Sequence, residues 1–156
     1  MIDKWDRRFL NIAREVSLWS KDPSTKVGAV IVSPNRDIVA TGYNGFAKGV
    51  DDCREHLNDR EIKSLKVVHA ETNAIVRSKR DLTGYTLYTY PIQSCPHCAA
   101  TIIQTGISRV VSLDTPHERL TPLFPISNDM FEQAGIDVVV YKQKEYNEGH
   151  SNDNCN

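Results

Sequence analysis

Two short runs, His69-Ala70-Glu71 and Cys95-Pro96-His97-Cys98, constrain this chain more than any other feature. One imidazole and two thiols can hold a zinc ion and leave its fourth position open. Structural zinc sites usually close with four protein ligands, whereas catalytic ones keep three and admit water. The spacing restricts where these residues can sit. His69 and Glu71 are two apart, which in mid-helix separates them by about 200°. At the first turn of a helix both can face one pocket. Cys95 and Cys98 are three apart and share a helix face. Pro96 suits the first helical position, where its missing N–H costs nothing. A helix N-terminus also favours thiolate over thiol. The pattern therefore predicts two helix N-termini aimed at a single Zn2+. The competing structural reading recruits a fourth ligand from Cys53, His56, His97 or His117, or places a second zinc at Cys53 and His56.

Composition narrows the setting. At 156 residues the chain fits one domain with a real core. A formal charge of −1 speaks against a non-specific nucleic-acid binder, which needs a basic face. No run reaches the roughly 18 apolar residues of a membrane span, and no signal peptide opens the chain. A C-x-x-C beside an H-x-E reads as metal ligation in a reducing compartment rather than as half a disulfide framework. The expected location is the cytoplasm, or the host cytoplasm for a viral source.

The periodicities predict an α/β order. Trp5, Phe9, Ile12, Val16 and Trp19 mark an amphipathic helix over 3–20 with Asp3 as its N-cap. A strand over 26–32, a turn at 34–37 and a strand over 38–43 form a hairpin. Residues 44–66 read as irregular, a length that usually carries function or an interface. A helix over 70–79, a strand over 85–90, a helix over 96–105 ended by Gly106 and a strand over 110–113 follow. A short helix over 129–134, stopped by Gly135, leads into a strand over 136–141. Residues 142–156, including Cys155, read as a polar, disordered tail. The expectation is a domain over 1–141 with a three-layer α-β-α architecture around a mixed five-stranded sheet.

H-x-E followed by P-C-x-x-C is the signature of zinc nucleobase deaminases; here Ser94 stands where that pattern has proline. With their flanks, the motifs resemble the deoxycytidylate deaminases of the cytidine deaminase superfamily. Ser20 to Ile31 looks like that family's first strand and its approach. Gly42-Tyr43-Asn44-Gly45 looks like its GYNG-type loop, His69-Ala70-Glu71-Thr72-Asn73-Ala74-Ile75 like its HAExNAI helix, and Cys98 to Ile107 like its following helix. The likeness spans about residues 3–141. One departure is the stretch from Tyr88 to Cys95, about one residue longer than the family pattern.

The resemblance implies hydrolytic deamination of dCMP to dUMP, supplying thymidylate synthesis, with one catalytic Zn2+ per subunit on His69, Cys95 and Cys98. Glu71 would shuttle protons as base and then acid. The resemblance also implies that Asn44 bonds the sugar or base edge and that the Ala70 N–H meets the pyrimidine carbonyl. Val27 would pack on the ring, and Lys26 with Ser24 would approach the phosphate. A structural reading stands beside each: Asn44 as a left-handed turn residue next to Gly45, Lys26 as a solvated strand end. A homo-oligomer, with a hexamer favoured, is implied too. So are dCTP activation and dTTP inhibition through Gly45 to Asp52, with Mg2+ accompanying the effector. Alternatives are deamination of dCTP, CMP or 5-substituted dCMP, of a base in tRNA or single-stranded DNA, or a non-enzymatic, zinc-stabilised interaction module.

Overall fold

The computed structural model describes residues 1–151. In chain order the elements are α1 (Lys4–Ser17), β1 (Gly28–Val32), β2 (Ile38–Tyr43), β3 (Gly45–Phe46), α2 (Arg54–Asn58), α3 (Arg60–Lys66), β4 (Val67–Val68), α4 (Ala70–Ser78), β5 (Thr86–Tyr90), α5 (Pro96–Gln104), β6 (Arg109–Leu113), a 3-10 turn (Thr121–Leu123), α6 (Phe124–Gln133), β7 (Asp137–Tyr141) and α7 (Gln143–Ser151). Five strands form one sheet in the order β2-β1-β5-β6-β7. β1 is antiparallel to both neighbours, while β5, β6 and β7 run parallel. The mixed sheet and the three-layer α-β-α arrangement match the sequence reading.

Alternation along the strands builds two cores. Ala29 and Ile31 of β1 face one way and pack with Ala70 and Ala74 of α4, Cys98 and Ile102 of α5, and Phe124 and Phe131 of α6. Val30 and Val32 face the other way and pack with Phe9, Leu10 and Ala13 of α1 and with Tyr146 of α7. All five residues of β1 are buried, as expected of a strand covered on both faces.

The start of α1 follows the expected capping: the Asp3 carboxylate accepts from the N–H groups of Trp5 (2.8 Å) and Asp6 (3.2 Å). The helix stops at Ser17, however, so Trp19 lies beyond it, 54% exposed and edge-on to Tyr43. Trp5 is half-buried, with guanidinium groups of Arg8 and Arg36 at 4.6 and 4.3 Å from its ring centre.

Three expectations are corrected. The irregular span 44–66 holds α2, α3 and the short strand β3, which pairs with β4 just beyond it. α3 begins at an Asp59 cap that accepts from Glu61 N and Ile62 N at 3.0 Å each. It buries none of its residues fully, so no apolar period announces it. α6 begins at Phe124 rather than near Asp129, because Phe124, Ser127 and Phe131 line its buried face and the serine interrupts the apolar signal. The tail is helical over 143–151. Tyr146, 1% exposed, is its anchor, donating its hydroxyl to Asn11 Oδ1 at 2.7 Å. Arg7 in turn donates to the Tyr146 carbonyl at 2.9 Å. One buried aromatic thus docks an otherwise polar segment. Cys155 lies outside the described residues.

Gly42 positions the helix that matters most. A Cβ there would run into the Ala70 carbonyl oxygen and the Ala74 N–H of α4. Its absence lets α4 lie flush on β2.

Candidate active site

Each half of the site is a turn into a helix. His69 is the N-cap residue of α4, and Cys95 is the N-cap residue of α5. The two helices pack side by side against the sheet, so residues 26 and 29 apart in sequence meet. His69 Nδ1 lies 3.5 Å from Cys95 Sγ and 3.3 Å from Cys98 Sγ. Glu71, in the first turn of α4, is buried and places Oε2 3.5 Å from Cys98 Sγ.

The electrostatics favour a cation. A hydrogen bond from the Cys98 thiol, then one from His69, outweigh burial and hold the Cys95 thiol well below its ordinary range. Cys98 is pushed up because it keeps the shared proton, is buried and faces Glu71. The bond with Cys95 raises His69 against the opposing effect of burial, helped by the Glu71 charge. A divalent cation prefers such thiolates and displaces their remaining protons on binding. The donor atoms of His69, Cys95 and Cys98 all lie within 4.8 Å of one another, so the residues fit a zinc ion.

None of the candidate fourth ligands joins them among the described residues. His97 is exposed on the outer side of α5. His117 places Nε2 3.3 Å from Thr25 Oγ1. Cys53 and His56 form a separate group with Asp51, in which His56 Nδ1 also meets the Lys66 ammonium at 3.2 Å. The centre is therefore a three-donor set with a carboxylate beside it.

A cavity of about 360 Å³ opens on this centre. Val27, Ala70 and Ile92 give its inner wall apolar surface, and Asn44 lines it too. Asn44 accepts from Val27 N (2.8 Å) and donates to the Thr25 carbonyl (2.8 Å). It is absent from the residues with positive φ, so it is a buried brace between two segments rather than a left-handed turn. The longer stretch before Cys95 turns after a cis Tyr90–Pro91 bond. It brings Ile92 and Gln93 to the cavity while Ser94 is buried. Asn128 of α6 donates to Gln93 Oε1 at 3.0 Å.

At the outer end the structure departs from the sequence reading. Lys26 is exposed and does not line the cavity. Lys63 of α3 does, together with Ser24, His117 and Arg119. The Lys63 ammonium donates to Asp22 Oδ1 (3.1 Å) and Ser24 Oγ (2.7 Å). Burial pushes the Asp22 carboxyl up, but the Ser24 and Thr25 N–H groups, Lys63 and the Ser24 hydroxyl together hold it below the ordinary range. Sequence reasoning missed Lys63 because α3 was invisible to it. His117 and Arg119 carried a usable signal: they follow β6, and open α/β sheets place sites beyond the carboxyl ends of parallel strands.

Comparison with known proteins gives a consistent picture. The family model described as the cytidine and deoxycytidylate deaminase zinc-binding region matches residues 3–114. A protein of Aliivibrio fischeri described as an uncharacterized deaminase in the luxG 3′ region is 49% identical over 141 residues, covering 88% of this chain and 94% of that one. A probable deoxycytidylate deaminase of Caenorhabditis elegans is 41% identical over 149 residues, covering 92% of this chain and 74% of the relative. Among solved structures, dCMP deaminase from the cyanophage S-TIM5 in complex with dCMP and dUMP superposes with a TM-score of 0.71 at 26% identity. That match covers 90% of this chain and 98% of the phage protein.

Proposed function

This chain belongs to the cytidine and deoxycytidylate deaminase zinc-binding family, and from that premise we infer that it is a hydrolase converting dCMP and water to dUMP and ammonia. The observation that carries the reading is the buried Glu71 carboxylate beside a three-donor His69–Cys95–Cys98 centre at the wall of a substrate-sized cavity. The Caenorhabditis elegans relative described as a probable deoxycytidylate deaminase, and the S-TIM5 enzyme with dCMP and dUMP bound, support the choice of substrate.

His69, Cys95 and Cys98 would hold one Zn2+ per chain. Zinc in such a site supplies Lewis acidity that makes water ionise near neutral pH. Glu71 accepts the water's proton at Oε2 and passes it to the ring nitrogen beside C4, the carbon that hydroxide attacks. The same carboxylate then takes the remaining proton of the hydroxyl added at C4 and gives it to the amine, so that the C4 carbonyl forms as the C4–N bond breaks and ammonia leaves. The Ala70 N–H, at the positive end of α4, meets the pyrimidine carbonyl. Val27 packs on the ring, and Asn44 Oδ1, which keeps a second lone pair, accepts from the sugar.

The same reading extends to a homo-oligomer, with a hexamer favoured, to dCTP and dTTP as effectors near Gly45 to Asp52 with Mg2+, and to a cytoplasmic location. Among the described residues no helix is long and apolar enough to cross a membrane.

The deciding experiment is ammonia release by zinc-loaded protein offered dCMP, dCTP, CMP, deoxycytidine or a cytosine-containing oligonucleotide. Turnover of dCMP well above the others is the expected result. Preference for dCTP or CMP would move the substrate, and absence of turnover with zinc bound would overturn the assignment.

A further inference from the structure

Within that reading of the site, we propose that Lys63, held in place by Asp22 and Ser24 and seconded by Arg119, is the group that reads the 5′-phosphate of the nucleotide. The inference rests on the proposed activity but names a residue that the sequence motifs do not contain.

Four observations converge on Lys63. Its ammonium is at the cavity wall, whereas Lys26 is exposed outside it. The Lys63 side chain is only 13% exposed and the Asp22 side chain 9%, so the pair is fixed within the protein rather than waving in solvent. An ammonium has three donors; Asp22 and Ser24 take two, leaving one to turn to a ligand. Ser24 Oγ accepts from Lys63 and donates to Asp22 Oδ1 at 2.9 Å, so its hydroxyl orients the lysine instead of serving the phosphate directly.

The surroundings match an anion. Arg119 lines the same end of the cavity and adds a second positive charge. His117 accepts from Arg119 N and Leu120 N at Nδ1, 3.3 Å each, which places its hydrogen on Nε2. That N–H, beside Thr25 Oγ1, gives a neutral donor on the same wall. The opposite, inner end carries Glu71 and the thiols. A ligand with an anionic group at one end and an uncharged ring at the other is the one whose charge this cavity accommodates. Asp22 anchors Lys63 but offsets part of its charge, which favours one phosphate over a longer chain of them.

The test measures binding of dUMP and of deoxyuridine by calorimetry to zinc-loaded wild type, Lys63→Met, Arg119→Met and Lys26→Met. Wild type should bind dUMP far more tightly than the nucleoside. Lys63→Met should cut dUMP affinity about 10- to 100-fold, the loss of one charge-assisted hydrogen bond, with deoxyuridine unchanged. That unchanged nucleoside binding also shows that the variant's pocket is intact. Arg119→Met should weaken dUMP by a smaller factor. The proposal is overturned if Lys63→Met keeps the full advantage of dUMP, if it weakens both ligands alike while Arg119→Met is silent, or if Lys26→Met removes the advantage instead. Failure of wild type to bind dUMP or deaminate dCMP would overturn the underlying activity, and this assignment with it.

Discussion

His69 Nδ1 lies 3.3 Å from Cys98 Sγ across a sequence gap of 29 residues, and that contact joins the N-termini of two adjacent helices into one centre. Neither helix carries a complete ligand set. The site exists only because α4 and α5 pack on the same face of the sheet.

Glu71→Gln keeps the shape of the side chain and removes its ability to take a proton. Turnover should fall by about 10²- to 10⁴-fold, the usual contribution of a general acid–base group, while zinc content measured by atomic absorption stays at the wild-type level. Wild-type turnover in this variant would reduce Glu71 to a helix-terminal charge.

Cys98→Ser removes one of three donors and should abolish tight zinc binding. In wild type, added zinc should raise the melting temperature, since a ligand at a thousandfold excess over its Kd stabilises by about 4 kcal/mol. A chelator should reverse the rise. The variant should show neither response in thermal scans, and a zinc-dependent shift there would point to a different metal site.

Gly42→Ala tests the seat of α4. The added Cβ meets the backbone at Ala70 and Ala74, which has no flexible end to move aside. Overpacking of this kind costs about 1–3 kcal/mol, and any shift of α4 carries His69 and Glu71 with it. Thermal stability and zinc affinity should therefore fall together; a loss of stability with unchanged zinc affinity would show that the helix absorbs the strain elsewhere.

The pair Asp6–Arg109 should govern acid stability. Asp6 accepts from Arg109 at 2.8 and 2.7 Å, from Tyr141 at 2.6 Å and from Tyr88 at 2.9 Å. Burial pushes its pKa up, but these bonds win and hold it below the ordinary carboxyl value. Its stabilisation is therefore complete above the unfolded pKa, about 3.9, and is lost as pH falls through the lower folded value. Arg109→Met should cost about 3 kcal/mol at neutral pH and move the acid-unfolding midpoint, followed by circular dichroism, to higher pH. An unchanged midpoint would mean that other carboxylates set it.

Tyr146→Ala should cost about 3–5 kcal/mol in denaturant unfolding, as large aromatic truncations in a core do. Tyr146→Phe should cost about 1 kcal/mol by losing the bond to Asn11. A near-neutral alanine variant would show that α7 adds little to the core.

Much of the fold was readable because the sheet is covered on both sides. Val27 to Val32 is apolar without a break, and β2 matches its expected bounds of 38–43. The convergence of His69, Cys95 and Cys98, with Glu71 beside them, was readable because a helix start ties position to short spacing. The elements that went unread lack such local signals. α3 buries no residue fully, α6 hides its period behind Ser127, and among the described residues of α7 Tyr146 is the buried one.

By itself, then, the sequence determined the layer order, the two helix N-termini and the donors that meet there, because burial period and spacing are local properties of the chain. Which cation faces the outer end of the cavity was a tertiary decision. Lys26 is next to the strand and reads well in sequence, yet it points outside. Lys63, some forty residues from its partners Asp22 and Ser24, reaches the cavity because α3 folds back over it, and only a buried carboxylate already in place makes that position favourable for its charge.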